Sequence, residues 1–158
     1  MLNKHIFTLL HWTWCLPQTL LGWIVYLWVR FRDKNCIIDE CTYKNGYYAV
    51  MTKSEKFPGG ISLGRYVFTN MLWGDVSYRH EFGHSVQSLI LGPLYLIIIG
   101  IPSSMFAANV TAWVKKSYYW FYTEKWADSI MDIDDDRDRK HGNQRPGAFW
   151  KKRKRRKK

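Results

Sequence analysis

The feature that most constrains this chain is a five-residue pattern, H-E-x-x-H, formed by His80, Glu81 and His84. On a helix, side chains four residues apart project from one face about 6 Å apart, so two imidazoles can reach one ion while the carboxylate lies beside them. Gly92-Pro93 follows as a strong helix stop. The sequence therefore predicts a helix over 76–91 that carries a metal site.

This set of residues is typical of zinc hydrolases. Zn²⁺ with three protein ligands keeps a fourth position for water and lowers the pKa of that water to about 7. We predict Zn²⁺ as the cofactor, His80 and His84 as two of its ligands, and Glu81 as the general base. Gln87 continues the side of the helix that would face a cleft, and it is a candidate cleft residue. The alternative is structural, with both histidines hydrogen-bonded in a core and Glu81 on the surface.

A small sheet is predicted before this helix. Residues 37–52 form short β-branched and aromatic runs on either side of Asn45-Gly46, which is a strong hairpin signal. Residues 61–69 alternate between apolar and polar side chains and predict a third strand, interrupted at Gly64. The predicted fold class is α+β, with a small antiparallel or mixed sheet followed by the H-E-x-x-H helix.

The first 32 residues are apolar and rich in tryptophan. No small-x-small cleavage site precedes the basic residues that close this segment, and its tryptophans suit a bilayer interface. The sequence therefore predicts a retained membrane helix over 1–32. Arg30, Arg32 and Lys34 follow the apolar run, whereas only Lys4 precedes it. This bias predicts a membrane protein whose catalytic domain lies on the cytoplasmic side.

A second apolar segment, 89–114, is cut by two Gly/Pro-containing breaks into pieces too short to cross a bilayer singly. A full crossing would also place the basic residues after it on the opposite side from Arg30 and Arg32, against the usual bias. We predict a re-entrant or interfacial segment here, with a full span as the alternative.

A helix predicted over 118–131 carries a second acidic pattern, E-x-x-x-D, at Glu124 and Asp128. With H-E-x-x-H upstream, these ten positions resemble the gluzincin metallopeptidases. The resemblance implies that Glu124 is the third zinc ligand and that Asp128 hydrogen-bonds the outer nitrogen of His80, which fixes its tautomer and ring angle. The alternative is that Glu124 pairs with a nearby lysine on a solvated helix face.

The zincin plan also implies that an edge strand lines the cleft and pairs with an extended substrate, and 61–69 is the candidate strand. The chain is smaller than a gluzincin and has no recognisable second lobe. Tyr95 and Tyr122 are candidate cleft residues that could stabilise an oxyanion, although such aromatic residues can also serve only in packing. The strings at 91–96 and 100–103 and residues 122–128 resemble a group of small uncharacterised bacterial membrane-associated proteins, a likeness that implies no activity.

The formal charge of +11 comes largely from 151–158, where all eight residues are Lys or Arg. Without them the charge is +3, because 16 basic residues remain against 13 acidic ones. The body carries no base-reading module, so nucleic acid is not predicted as a partner, whereas the tail could attract anionic lipid or simply stay solvated. The predicted domains are a membrane helix at 1–32, a minimal zincin-like domain at 33–140 and a disordered basic tail at 141–158.

Together these patterns predict a membrane-associated zinc metallopeptidase whose partners are membrane lipid and a peptide or protein substrate. The alternative function is a non-catalytic membrane adaptor, in which a structural metal or a polar network locks the fold and the basic tail recruits an anionic partner.

Overall fold

The computed structural model describes residues 4–42, 47–57, 59–72, 75–113 and 121–133. Within these ranges the fold is α+β, as predicted, with five α-helices and one four-stranded sheet. In chain order the elements are α1 (Lys4–Thr13), α2 (Leu16–Arg32), β1 (Ile37–Thr42), β2 (Tyr48–Ser54), β3 (Ile61–Leu63), β4 (Tyr66–Asn70), α3 (Asp75–Leu91), a 3₁₀ turn (Gly92–Leu94), a π-helical turn (Leu96–Gly100), α4 (Ile101–Trp113) and α5 (Tyr122–Ile130).

The sheet is mixed, with the strand order β1-β2-β4-β3. β1 and β2 pair antiparallel on either side of the predicted hairpin turn, β2 and β4 pair parallel, and β3 pairs antiparallel with β4 at the edge. The strand predicted over 61–69 is therefore two strands. Gly64 adopts a φ of +59°, which other residues rarely adopt, and it turns the chain back on itself between Leu63 and Tyr66.

Helices cover both faces of the sheet because apolar side chains alternate along its strands. On one face Val50, Tyr66 and Phe68 form a core cluster with Val29 of α2. On the other face Ala49, Met51 and Val67 form a second cluster with Phe82 of α3 and with Met131, the residue after α5. The H-E-x-x-H helix is thereby fixed against the middle of the fold.

Residues 4–32 form two helices rather than the single helix predicted over 1–32. Pro17 lies in the first turn of α2 and lacks an N–H, so it cannot continue the hydrogen bonding of α1, and the chain breaks at Trp14 and Cys15. The α1–α2 corner docks on the end of α3. The indole N–H of Trp14 donates to the Leu89 carbonyl at 3.1 Å, and Gln18 Nε2 donates to the Gly92 carbonyl at 2.8 Å.

In the part of the chain that the structure describes, no single helix combines the length and apolarity needed to cross a bilayer. One pair, Val76–Leu94 with Leu96–Ala107, meets that criterion only jointly and is bent by 119°. A membrane helix over 1–32 is therefore not confirmed. The helix predicted over 118–131 is confirmed as α5 from Tyr122. Its predicted first residues, and all of the basic tail predicted at 141–158, lie outside the described ranges.

Candidate metal centre

The centre forms where α3 and α5 approach each other backbone to backbone. Gly83, inside the H-E-x-x-H pattern, packs directly against the main chain of Ala127, and a Cβ at Gly83 would lie 2.9 Å from the carbonyl carbon of Ala127. Only glycine permits this approach. As a result Glu124 and Asp128, which flank Ala127 on one face of α5, reach the two histidines of α3.

Three potential ligands converge at this contact, as the two motifs predicted. Oε2 of Glu124 lies 3.0 Å from Nε2 of His80 and 3.4 Å from Nε2 of His84. All three side chains are buried, and their ligand atoms lie within 4.8 Å of one another. Two ligand atoms on a tetrahedral Zn²⁺ are about 3.3 Å apart, and the two distances from Oε2 of Glu124 differ from this value by only a few tenths of an ångström.

Asp128 holds His80 from behind, in the position that the resemblance implied. Its Oδ1 lies 2.6 Å from Nδ1 of His80. Burial works to lower the pKa of His80, but the hydrogen bonds to Asp128 and Glu124 outweigh burial and raise that pKa to about 9. Burial alone would likewise raise the pKa of Glu124, yet the hydrogen bonds from His80 and His84 lower it. The carboxylates thus favour positive charge at this point.

Gln87, which the sequence predicts as a cleft residue, is fully buried and is not among the residues that line the cavity described below. Its Oε1 accepts a hydrogen bond from Nδ1 of His84 at 2.8 Å, while its Nε2 donates to the Thr123 carbonyl at 2.9 Å. With Nδ1 protonated, Nε2 of His84 presents a lone pair to the Glu124 carboxylate. Two electron pairs that face each other in this way require a positive charge between them, which is a metal ion or a proton.

The second oxygen of Glu124 is fixed by two hydroxyl groups. Oε1 accepts hydrogen bonds from Ser103 at 2.7 Å and from Thr123 at 2.8 Å, which leaves Oε2 for an ion. Neither residue was predicted from the sequence. Ser103 lies 21 residues away and in another element, and neither hydroxyl belongs to a recognisable motif.

Glu81 lies beside the ligands and is also buried. Ser62 of the edge strand β3 donates a hydrogen bond to the Glu81 main-chain carbonyl, and its Oγ lies 3.3 Å from the Glu81 carboxylate. Burial raises the pKa of Glu81. Gly60 leaves the space for this carboxylate, since a Cβ there would lie 2.6 Å from Cδ of Glu81.

Glu81 and His84 open onto a cavity of about 390 Å³. β3 and the residues just before it form one wall, and the opposite wall includes Leu96, Ile101 and Met105. Tyr95 lines the cavity, and its hydroxyl donates to the Ser62 carbonyl at 3.2 Å. Burial raises the pKa of Tyr95. Tyr122, the other predicted cleft residue, is 51% exposed and donates to the Ile98 carbonyl at 2.6 Å, and it does not line this cavity.

Comparison with protein-family models, with curated proteins and with solved structures gave no match. The assignment of this site therefore rests on its own geometry and chemistry.

Proposed function

We propose that this chain is a membrane-associated zinc-dependent hydrolase that cleaves peptide bonds. The observation that carries the proposal is the position of one carboxylate oxygen, Oε2 of Glu124, against Nε2 of both His80 and His84, with Glu81 beside them on the wall of a cavity. A metal site that only stabilises the fold does not require a glutamate that lines a cavity next to the metal ligands.

The donor set limits the metal. Two imidazoles and one carboxylate suit catalytic Zn²⁺ with an open position, and they also suit non-haem Fe(II). Glu81, at the same cavity, can act as a general base, and this favours hydrolysis. Bound at this position, zinc would polarise a substrate carbonyl and make a water more acidic.

The residues of the chain then have distinct roles. Glu81 accepts the proton of the attacking water and transfers it to the leaving nitrogen, so that one water adds across the broken amide bond. Asp128 and Gln87 each hold the outer nitrogen of one histidine, and so keep the lone pairs of both Nε2 atoms directed at the metal.

The shape of the cavity supports an extended substrate. β3 is the edge strand and lines the cavity, so a peptide could lie along it as a further strand. The strand is only three residues long, and the Ser62 carbonyl already accepts from Tyr95. Pairing with β3 therefore anchors a short stretch of substrate at most, and side-chain contacts in the cavity must supply the remaining affinity.

The test is metal analysis and peptide cleavage on the purified chain. We expect one zinc per chain and cleavage of a mixed fluorogenic peptide pool that stops when zinc is chelated and returns on its addition. Glu81→Gln keeps the metal and lowers the rate by about 10²- to 10⁴-fold. Glu55→Gln, at an exposed glutamate just after the end of β2, is the matched control and leaves metal content and cleavage unchanged. If the native chain binds zinc but cleaves no peptide, and Glu81→Gln binds zinc equally well, the result would instead favour the alternative function, a non-catalytic membrane adaptor with a structural metal.

A further inference from the structure

The outward face of α2 is apolar, whereas a helix on the surface of a water-soluble protein presents polar residues on that face. Gln18 and Thr19 are fully buried against the body. The large side chains that point away are exposed, and Trp28 is 57% exposed. The apolar residues on this outward face are Leu16, Leu20, Leu21, Trp23, Ile24 and Trp28.

A second exposed apolar region follows α3. Its most exposed member, Ile97, is 65% exposed, and the others are Ile90, Leu94, Ile98, Ile101 and Met105. This region meets the face of α2 where Trp14 packs on Gly92 and bonds to the Leu89 carbonyl. We call the two regions together the apolar surface. Contiguous apolar exposure of this extent marks an interaction site.

Charge indicates what the apolar surface contacts. No Asp, Glu, Lys or Arg occurs in 5–29 or in 82–114, the two stretches that supply this surface. Basic residues gather at its edge, where Arg30, Arg32, Lys34 and Lys56 are all exposed at the end of α2. The guanidinium of Arg32 lies 5.9 Å from the ring centre of Trp28. An uncharged face bordered by tryptophan and arginine matches a bilayer with anionic headgroups.

The cavity of the metal centre opens at this same surface. Ile101 and Met105 line the cavity and are also exposed members of the apolar surface. The wall opposite β3 is therefore continuous with the face that would rest on lipid. A substrate held in the bilayer would reach Glu81 and His84 without first leaving the lipid interface.

We infer that the apolar surface rests on an anionic bilayer and that the cavity receives a polypeptide anchored in that bilayer, through the opening bounded by Ile101 and Met105. This inference rests on the proposed hydrolase function and names its substrate class. Because the chain lies on the bilayer, the site and its water stay at the headgroup level.

The first experiment measures binding to vesicles of phosphatidylcholine with about one quarter phosphatidylglycerol, at low salt. The native chain floats with these vesicles. Ile24→Asn combined with Ile97→Asn weakens binding by about tenfold or more, because two large apolar side chains no longer enter the lipid. Ile37→Asn, at an equally apolar exposed position on β1, the opposite edge strand from β3, is the control and binds as the native chain does.

The second experiment compares one fluorogenic peptide in two forms, free in solution and joined to a palmitoyl chain in the same vesicles. The native chain cleaves the anchored form at least about tenfold faster, and the double variant loses this advantage while cleaving the free form at the native rate. Equal rates on both forms, or no vesicle binding by the native chain, would overturn the inference and leave the hydrolase intact. A vesicle-independent dimer that the double variant converts to monomers would assign the surface to a second copy. Cleavage of neither form by zinc-loaded, vesicle-bound protein would overturn the hydrolase, and the substrate class with it.

Discussion

Gly83 is the position where a single methyl group tests the geometry of the whole metal centre. A Cβ there would lie 2.9 Å from the carbonyl carbon of Ala127 and closer still to its oxygen. Carbon atoms in contact normally stay about 3.5 Å apart, so Gly83→Ala requires α5 to move away from α3 by about 1 Å. Glu124 and Asp128 flank Ala127, and both would move with it.

This movement lowers both the stability of the fold and the affinity for zinc, and the two losses differ in size. Overpacking between helices costs about 1–3 kcal/mol of the free energy of unfolding, and part of this is offset because alanine favours the helix. Metal binding suffers more. Displacing a residue behind a ligand already costs about 10- to 100-fold in metal affinity, and here the ligand Glu124 moves as well as Asp128. We expect Gly83→Ala to bind zinc about 100-fold more weakly or worse.

Competition with a chromogenic chelator measures the zinc affinity, and urea unfolding without zinc measures the packing cost. Gly100→Ala is the control, because a Cβ at this glycine meets nothing closer than Leu96 Cδ2 at 3.5 Å. It should bind zinc as the native chain does. A folded Gly83→Ala protein with zinc affinity within about threefold of native would show that α5 does not supply a ligand, and the proposed centre would be wrong.

Three other changes probe separate contacts. Asp128→Asn preserves the shape beside His80 but removes the charge, so zinc affinity in the same chelator assay should fall about 10- to 100-fold, and an unchanged value would exclude a positioning role. Ser103→Ala removes one of two hydrogen bonds to Oε1 of Glu124 and should weaken zinc binding only about two- to tenfold, so a loss as large as that of Asp128→Asn would contradict the assignment. Burial, with a smaller effect from Arg65, lowers the pKa of His11 to about 3. The unfolded chain therefore takes up a proton first as the pH falls below the ordinary value of 6.5. As the pH falls from about 8 to 5, the free energy of unfolding measured by urea titration should drop about 2 kcal/mol more for the native chain than for His11→Leu. An equal drop in both proteins would refute the lowered pKa of His11.

The sequence was sufficient for those parts of the site that depend on local spacing. His80 and His84 share a helical face because they are four residues apart, and Glu124 and Asp128 do so for the same reason. What joined the two pairs was the resemblance to gluzincins, which the distances between these side chains now match. The resemblance itself stays a prediction.

Other features depend on contacts between distant residues, and local patterns do not reveal them. The sequence predicts Gln87 as a cleft residue, but its contact with α5 follows only once the Thr123 carbonyl is known to lie beside it. A different reason explains why the sequence predicted one strand over 61–69 where the structure has two. The two-residue turn at Gly64 and Arg65 moves the residues of one sheet face from odd positions (Ile61, Leu63) to even ones (Tyr66, Phe68). Val67, on the other face, keeps the odd positions apolar, so two short strands look like one.

Polar side chains of α3 help to hold the elements around the candidate metal centre in place. Each one reaches a different element. Ser85 donates to the Gly64 carbonyl at 2.7 Å, Ser88 accepts from Gln18 of α2 at 2.9 Å, and Gln87 donates to α5. Buried polar groups are costly unless they are paired, so these bonds favour one arrangement of α2, α5 and the β3–β4 turn around α3.

The segment 96–107 contributes the cavity wall opposite β3, and its Ser103 donates a hydrogen bond to Glu124. The same segment forms part of the apolar surface. Contact with a bilayer would therefore act directly on the wall of the cavity that holds the proposed active site.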